Sequence, residues 1–164
     1  VDPERLDDRP PALHGSSISV VPGRSGVTAL LRGAPPDATA TLESDRPVDL
    51  RGTLGHLVRG SGDPTMRLGP AAVVRASLAP AGPSTLELRI DGRSIRAAAW
   101  GPGAAAAIDG VPALLGLDDD DSGFEPRRHP LVARLARARP GLRIGRTGVI
   151  FEALLPAILE QRIT

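Results

Sequence analysis

Cysteine is absent from this 164-residue chain. That excludes a disulfide framework, a thiolate metal site and a cysteine nucleophile. Tyrosine is absent too, and Trp100, Phe124 and Phe151 are the only aromatic residues. A site that stacks a flat ligand or base needs several aromatic faces, so this chain cannot assemble one by itself. Lysine is missing as well: every basic side chain other than histidine is arginine. With the abundant alanine, glycine and proline, that bias points to a GC-rich genome rather than to a mechanism. No apolar run approaches the length of a membrane span. The acidic start, residues 1–8, lacks the basic and apolar regions of a signal peptide. The expected location is therefore the cytoplasm, with no membrane partner. Residue 1 is Val rather than Met, which allows a cut or processed N-terminus.

Hydrophobic residues make up 41% of the chain, enough for a core. The length suits one domain, or one domain plus the start of another. The net charge of +1 hides an asymmetry. Residues 1–126 hold 12 Arg and 17 acids, net −5, whereas residues 127–164 hold 8 Arg and 2 acids, net +6. A basic terminal segment on an acidic body is a footprint of phosphate binding; it is also what a solvated helix surface looks like.

Residues 1–15 carry Pro3, Pro10, Pro11 and Gly15 and read as a tail. Short extended segments are expected at 16–21, 27–31 and 38–42, separated by Pro22-Gly23, Gly26 and Pro35-Pro36. The period then changes. Leu50, Leu54, Leu57 and Val58 recur at helical spacing and Gly60 supplies a stop, which predicts a helix near 48–59. Strands are expected at 72–78 and at 85–90, where Leu86, Leu88 and Ile90 alternate with Glu87 and Arg89. Asp91-Gly92 is a hairpin signal, so 93–100 should pair antiparallel with 85–90. Residues 101–116 read as a helix broken near 110–112. No internal repeat is present. The pattern indicates an α+β domain with an antiparallel sheet over residues 1–126. The acidic loop around 117–128 reads as a boundary. After it come helices only, residues 127–164 being the start of a helical domain. Pro130 suits a first helical turn, Leu131, Leu135 and Ala138 share a face, and Pro140-Gly141 is the stop. A last helix runs from Val149.

Several constellations point weakly to chemistry. Gly101, Gly103 and Ala106 follow a strand and open a helix, as in a dinucleotide fingerprint. However, Pro102 removes an N–H that a phosphate would use, and no second parallel strand follows, so turn and helix start are the expected roles. The acidic run 118–121 lacks the spacing of a calcium loop and reads as a solvated linker. His14, His56 and His129 do not stand at metal-ligand spacing, and His56 falls opposite the Leu50/Leu54/Leu57 stripe. No metal or cofactor is expected.

The last helix is more informative. Phe151, Leu154, Leu155 and Ile158 form one stripe, and Arg162 falls in line with it. A guanidinium cannot follow four apolar residues into a core without large cost. Either the helix emerges at a surface there, or Arg162 meets an anion, with Gln161 beside it. Pro156 lies off the stripe and removes one backbone hydrogen bond, at about 3 kcal/mol if uncompensated; it should kink the helix without ending it.

The segments "HPLVARLARARPGLRIGRTGVIFEALLPAILEQRIT" (129–164), "AWGPGAAAAIDGVPALLG" (99–116) and "RGSGDPT" (59–65) resemble the bacterial AlkA-type 3-methyladenine DNA glycosylases of the helix-hairpin-helix superfamily. The resemblance is specific over 99–164 and thin before residue 46. It implies an N-terminal curved antiparallel sheet with helices on one side, similar to the TATA-binding-protein fold, followed by the first helices of an incomplete all-α catalytic domain. It implies base excision repair. A damaged purine is flipped from duplex DNA into an aromatic pocket, and one aspartate assists hydrolysis of the N-glycosidic bond. No aspartate follows Asp121. The catalytic aspartate is thus expected beyond Thr164, and the 164-residue chain is expected to be inactive. The resemblance places Gln161 and Arg162 at the DNA, with Arg162 where a side chain fills the gap left by the flipped nucleotide. Arginine departs from the apolar wedge of the enzyme that gives the family its name. The expected partner is duplex DNA with an alkylated base, and the full-length protein is expected to be a monomer. A non-catalytic DNA-binding or protein-interaction module of the same fold is the alternative.

Overall fold

The computed structural model describes residues 17–20, 34–70 and 72–161. The tail at 1–15 and the segment expected at 27–31 lie outside them. Among the described residues six strands form one sheet: β1 (Ser17–Val20), β2 (Ala38–Glu43), β3 (Met66–Leu68), β4 (Ala72–Ala79), β5 (Gly82–Asp91) and β6 (Ser94–Trp100). Their order is β1-β2-β6-β5-β4-β3, and every pairing is antiparallel. The α+β reading, with helices on one side of an antiparallel sheet, holds.

Strand alternation decides which face is covered. Ala38, Ala40 and Leu42 of β2, Ile95, Ala97 and Ala99 of β6, and Leu86 and Leu88 of β5 are all buried. Between them lie Thr41, Arg96 and Arg89, which are exposed. The covered face receives α1 (Leu50–Leu54), α2 (Ala104–Asp109) and α3 (Val111–Leu114). They contribute Leu50, Leu54, Ala104, Ile108, Val111 and Leu114 to the core. The helix α2 rests on β2, β5 and β6. Alanines at 97, 99 and 104 leave room for that approach, because a small side chain on each side lets backbones come close.

The expected hairpin is present: Asp91 pairs with Ser94 around Gly92-Arg93, and Gly92 takes φ +63°. A second tight turn joins β4 to β5 through the pair Ala79↔Gly82, which carries β5 back to Gly82 instead of starting it at 85. The helix expected over 48–59 is shorter. It ends at Leu54 and continues as a 3-10 turn, Gly55–Leu57. Gly52 and Gly55 weaken it, and Asp49 caps it by accepting from Gly52 N at 2.8 Å. The edge strand β3 was not expected, being too short for any period to register. The break in 101–116 falls at Gly110, as the sequence suggests.

Between α1 and β3, Asp63 organises the chain. It is buried, and its carboxylate accepts from Arg59 N (2.8 Å), Thr65 N (2.7 Å) and Thr65 Oγ1 (2.7 Å). These donors, the Arg59 amide first, hold its carboxyl at about 2. A depressed folded pKa contributes stability above the unfolded value of 3.8, lost as the pH falls toward 2. Asp63→Asn should therefore cost about 1–3 kcal/mol at neutral pH. The gap to wild type should narrow below pH 4 in urea titrations; a gap that widens there contradicts this account.

Candidate nucleic-acid interface

The basic part of the chain builds two helices, α4 (Pro130–Ala138) and α5 (Ile150–Glu160). Pro130 sits in the first turn of α4, and His129 caps it, its Nδ1 accepting from Leu131 N at 3.2 Å. The helix ends before Pro140-Gly141 as expected. The later helix runs through Pro156 without interruption.

Both helices turn their apolar sides outward. On α4 only Ala133 is buried, while Leu131 and Leu135 are exposed. On α5 the stripe Phe151, Leu154, Leu155 and Ile158 is exposed, with Ile150 and Leu159 extending it. What α5 turns toward the sheet unit is polar. Glu152 pairs with Arg75 at 2.5 Å and accepts from Leu78 N at 3.4 Å. Glu160 lies 3.8 Å from Arg59. Arg75 is on the covered face of β4, opposite Leu86 of β5, so α5 lies on the same side of the sheet as the other helices.

The segment joining the two helices is locked to the sheet unit. Arg143 is buried although Leu142 and Ile144 beside it are exposed. Its guanidinium donates to Gly116 O (3.2 Å), Ser44 Oγ (3.1 Å) and Asp45 Oδ1 (2.7 Å). The hydrogen bond from Arg143 holds the Asp45 carboxyl below the usual carboxylate range. Asp49 N donates to Gly141 O at 2.8 Å and Arg146 N to Ala113 O at 2.9 Å. Sequence reasoning passed over Arg143. The signal was available in "GLRIG": two glycines flanking an arginine allow the backbone contact that buries it.

Of the residues expected at the DNA, Gln161 closes α5 and is exposed, while Arg162 lies outside the described residues. Arg127, Arg134 and Arg137 are exposed, and among the described residues none forms an ion pair. The aromatics are set apart by the fold. Trp100 is half-buried with Nε1 donating to Ala34 O at 3.0 Å, Phe124 is exposed in the acidic loop, and Phe151 stands on the ridge of α5.

The other constellations resolve into structure. Gly101 takes φ +98° and donates to Asp37 Oδ2 at 2.7 Å, while Gly103 N donates to Pro83 O at 3.0 Å, so neither amide is left for a phosphate. The acidic run is exposed, with Asp119 paired to Arg146 at 3.0 Å and Asp121 paired to Arg46. His56 is exposed; His14 lies outside the described residues. Among the described residues no cluster of three His, Asp or Glu is arranged to hold a metal, and no helix is long and apolar enough to cross a membrane.

No family model and no curated protein matches this chain. A solved structure does: the 3-methyladenine DNA glycosylase from Archaeoglobus fulgidus, with a TM-score of 0.59 at 16% identity, over 76% of this chain and 45% of that one. The chain shares the fold of the matched part. It spans less than half the length of that enzyme. A sheet with helices on one face, followed by a few further helices, is thus an arrangement known from a DNA glycosylase.

Proposed function

We propose that this chain belongs to base excision repair, as the sheet unit and opening helices of an AlkA-type DNA glycosylase acting on alkylated purines. Residues 1–126 are the sheet domain and 127–164 begin the helical catalytic domain. The supporting observation is the pair α4 and α5, which turn their apolar faces away from the sheet unit. Eleven of the thirteen large hydrophobics exposed among the described residues lie between Leu131 and Leu159. Monomers rarely leave so much apolar surface in one region unless something covers it. In this reading further helices of the same protein cover it and bring the catalytic aspartate. In this reading Gln161, which closes α5, and Arg162, which follows it in the sequence, meet the duplex. Alkylation puts positive charge on the purine and makes it a ready leaving group, so the catalytic carboxylate has only to assist departure.

The test is release of free base from duplex DNA carrying methylated purines. The full-length gene product should release it, and the 164-residue chain should release none. Release by the 164-residue chain alone overturns the proposal. Duplex binding without release by the full-length product favours a non-catalytic module of the same fold.

A further inference from the structure

An open depression of about 520 Å³ lies between the end of α1 and the edge strand β3. Its floor includes Met66, which is buried, and its rim includes Arg51, Arg67 and the loop Gly60, Ser61, Gly62. Its size falls within the range of small-ligand sites. Among its lining residues the charge is of one sign. No acidic residue lines it. The nearby Asp63 carboxylate accepts from the backbone N–H groups of Arg59 and Thr65 and from Thr65 Oγ1, and so is held within its own loop. Among the described residues neither Arg51 nor Arg67 has an acidic partner. One nitrogen of Arg67, Nη1, is held by the carbonyls of Asp63 and Met66, which fixes the guanidinium at the rim. The loop adds a serine hydroxyl and two glycines whose backbone is open to approach: a Cβ on Gly60 or Gly62 would meet nothing within 4 Å. A fixed fork of N–H donors beside an open glycine loop suits a tetrahedral anion.

The place of the depression matters. Arg59, next to the loop, is the residue that Glu160 approaches at 3.8 Å. The C-terminal end of α5, with Gln161, therefore lies beside this rim. We propose that the depression is a phosphate site, and that its ligand is a backbone phosphodiester of the DNA flanking the tip of α5. The assignment of DNA as the source rests on the proposed function. The recognition of a phosphate rests on the depression itself.

The experiment measures binding of a fluorescent duplex to the 164-residue chain by anisotropy over a series of salt concentrations. In parallel, inorganic phosphate is titrated while the amide signals of residues 60–62 are followed by NMR. Arg51→Ala should weaken duplex binding about threefold to tenfold and lower the slope of log affinity against log salt by about 1. Gly62→Asp, which puts a carboxylate on the rim without a steric clash, should weaken it at least as much. Circular dichroism melts of each variant verify that the fold survives; Arg51 is exposed and is not needed for it. Salt slopes unchanged in both Arg51→Ala and Gly62→Asp overturn the proposal. Phosphate shifting the loop amides while the duplex is not bound overturns DNA as the source and leaves a site for free phosphate; the repair reading is decided separately, by base release from the full-length product. Duplex bound with wild-type slope by the variants sinks this site alone and spares the repair reading.

Discussion

Arg143→Ala should lower the unfolding free energy of the chain by about 3 kcal/mol in urea titrations, the largest effect expected of a polar residue here. The side chain is buried and makes three hydrogen bonds to Gly116 O, Ser44 Oγ and Asp45 Oδ1. Truncation leaves a cavity and removes the donors for two acceptors that are cut off from water. Asp45 is the discriminating control. Its side chain is 79% exposed against 4% for that of Arg143, so it re-solvates freely when the pair is broken. Asp45→Ala should then cost less than Arg143→Ala, with what remains arising from the buried guanidinium losing a counter-charge. The pH dependence has a definite sign. The Asp45 carboxyl is held below its ordinary value of 3.8, so its contribution is complete above that value and fades as the pH falls through the folded one. Wild type and Asp45→Ala should converge in acid. Equal losses from Arg143→Ala and from a surface arginine such as Arg134→Ala would falsify this account.

Gly145→Ala should be nearly as damaging, at about 2–4 kcal/mol. The new methyl group would overlap the carbonyl oxygen of Leu114, which belongs to rigid backbone rather than to a side chain that can turn away. The same segment makes two other close passes. A Cβ on Gly116 would stand 2.7 Å from Ile144 O, and one on Gly141 would stand 2.7 Å from Asp49 N. Strain at Gly145 can be relieved only by lifting the strap that Arg143 anchors. Trypsin should then cut after Arg143 in the variant far faster than in wild type, with α1 to α3 intact by circular dichroism. Gly55→Ala is the matched control. Its Cβ would meet nothing within 4 Å and its backbone is helical, so it should be neutral or stabilising by up to about 1 kcal/mol. A Gly145→Ala variant within 0.5 kcal/mol of wild type would show that the strap has room to spare.

Local chemistry made much of this legible in advance. The alternation Leu86, Leu88, Ile90 and the Asp91-Gly92 turn led to the β5–β6 hairpin because both signals act within a few residues. Pro130 and Pro140-Gly141 bounded α4 for the same reason. The strand β3 escaped because three residues carry no period, and its place comes from pairing with β4. The extent of α1 escaped because helical spacing of leucines says nothing about two glycines that weaken the turn. At the candidate interface, the ridge of α5 was readable from its spacing. Its orientation was not, since Glu152 finds Arg75 across 77 positions of chain. Arg143 looked like one more basic residue in a basic segment; only the tertiary pairing with the region around Asp45 makes it a buried one.

The two-residue turns that join β4, β5 and β6 into a meander also set an order of assembly. Closing such short loops costs little chain entropy, so among the sheet's pairings this three-strand ribbon should form early. Recruiting β2 to β6 means closing a span of about fifty residues, and the strap around Arg143 must wait for Ser44 and Gly116 to be in position. The helices that carry the greasy outer surface are therefore the last to settle and the first to let go, which concentrates the risk of intermolecular sticking in the final steps of folding.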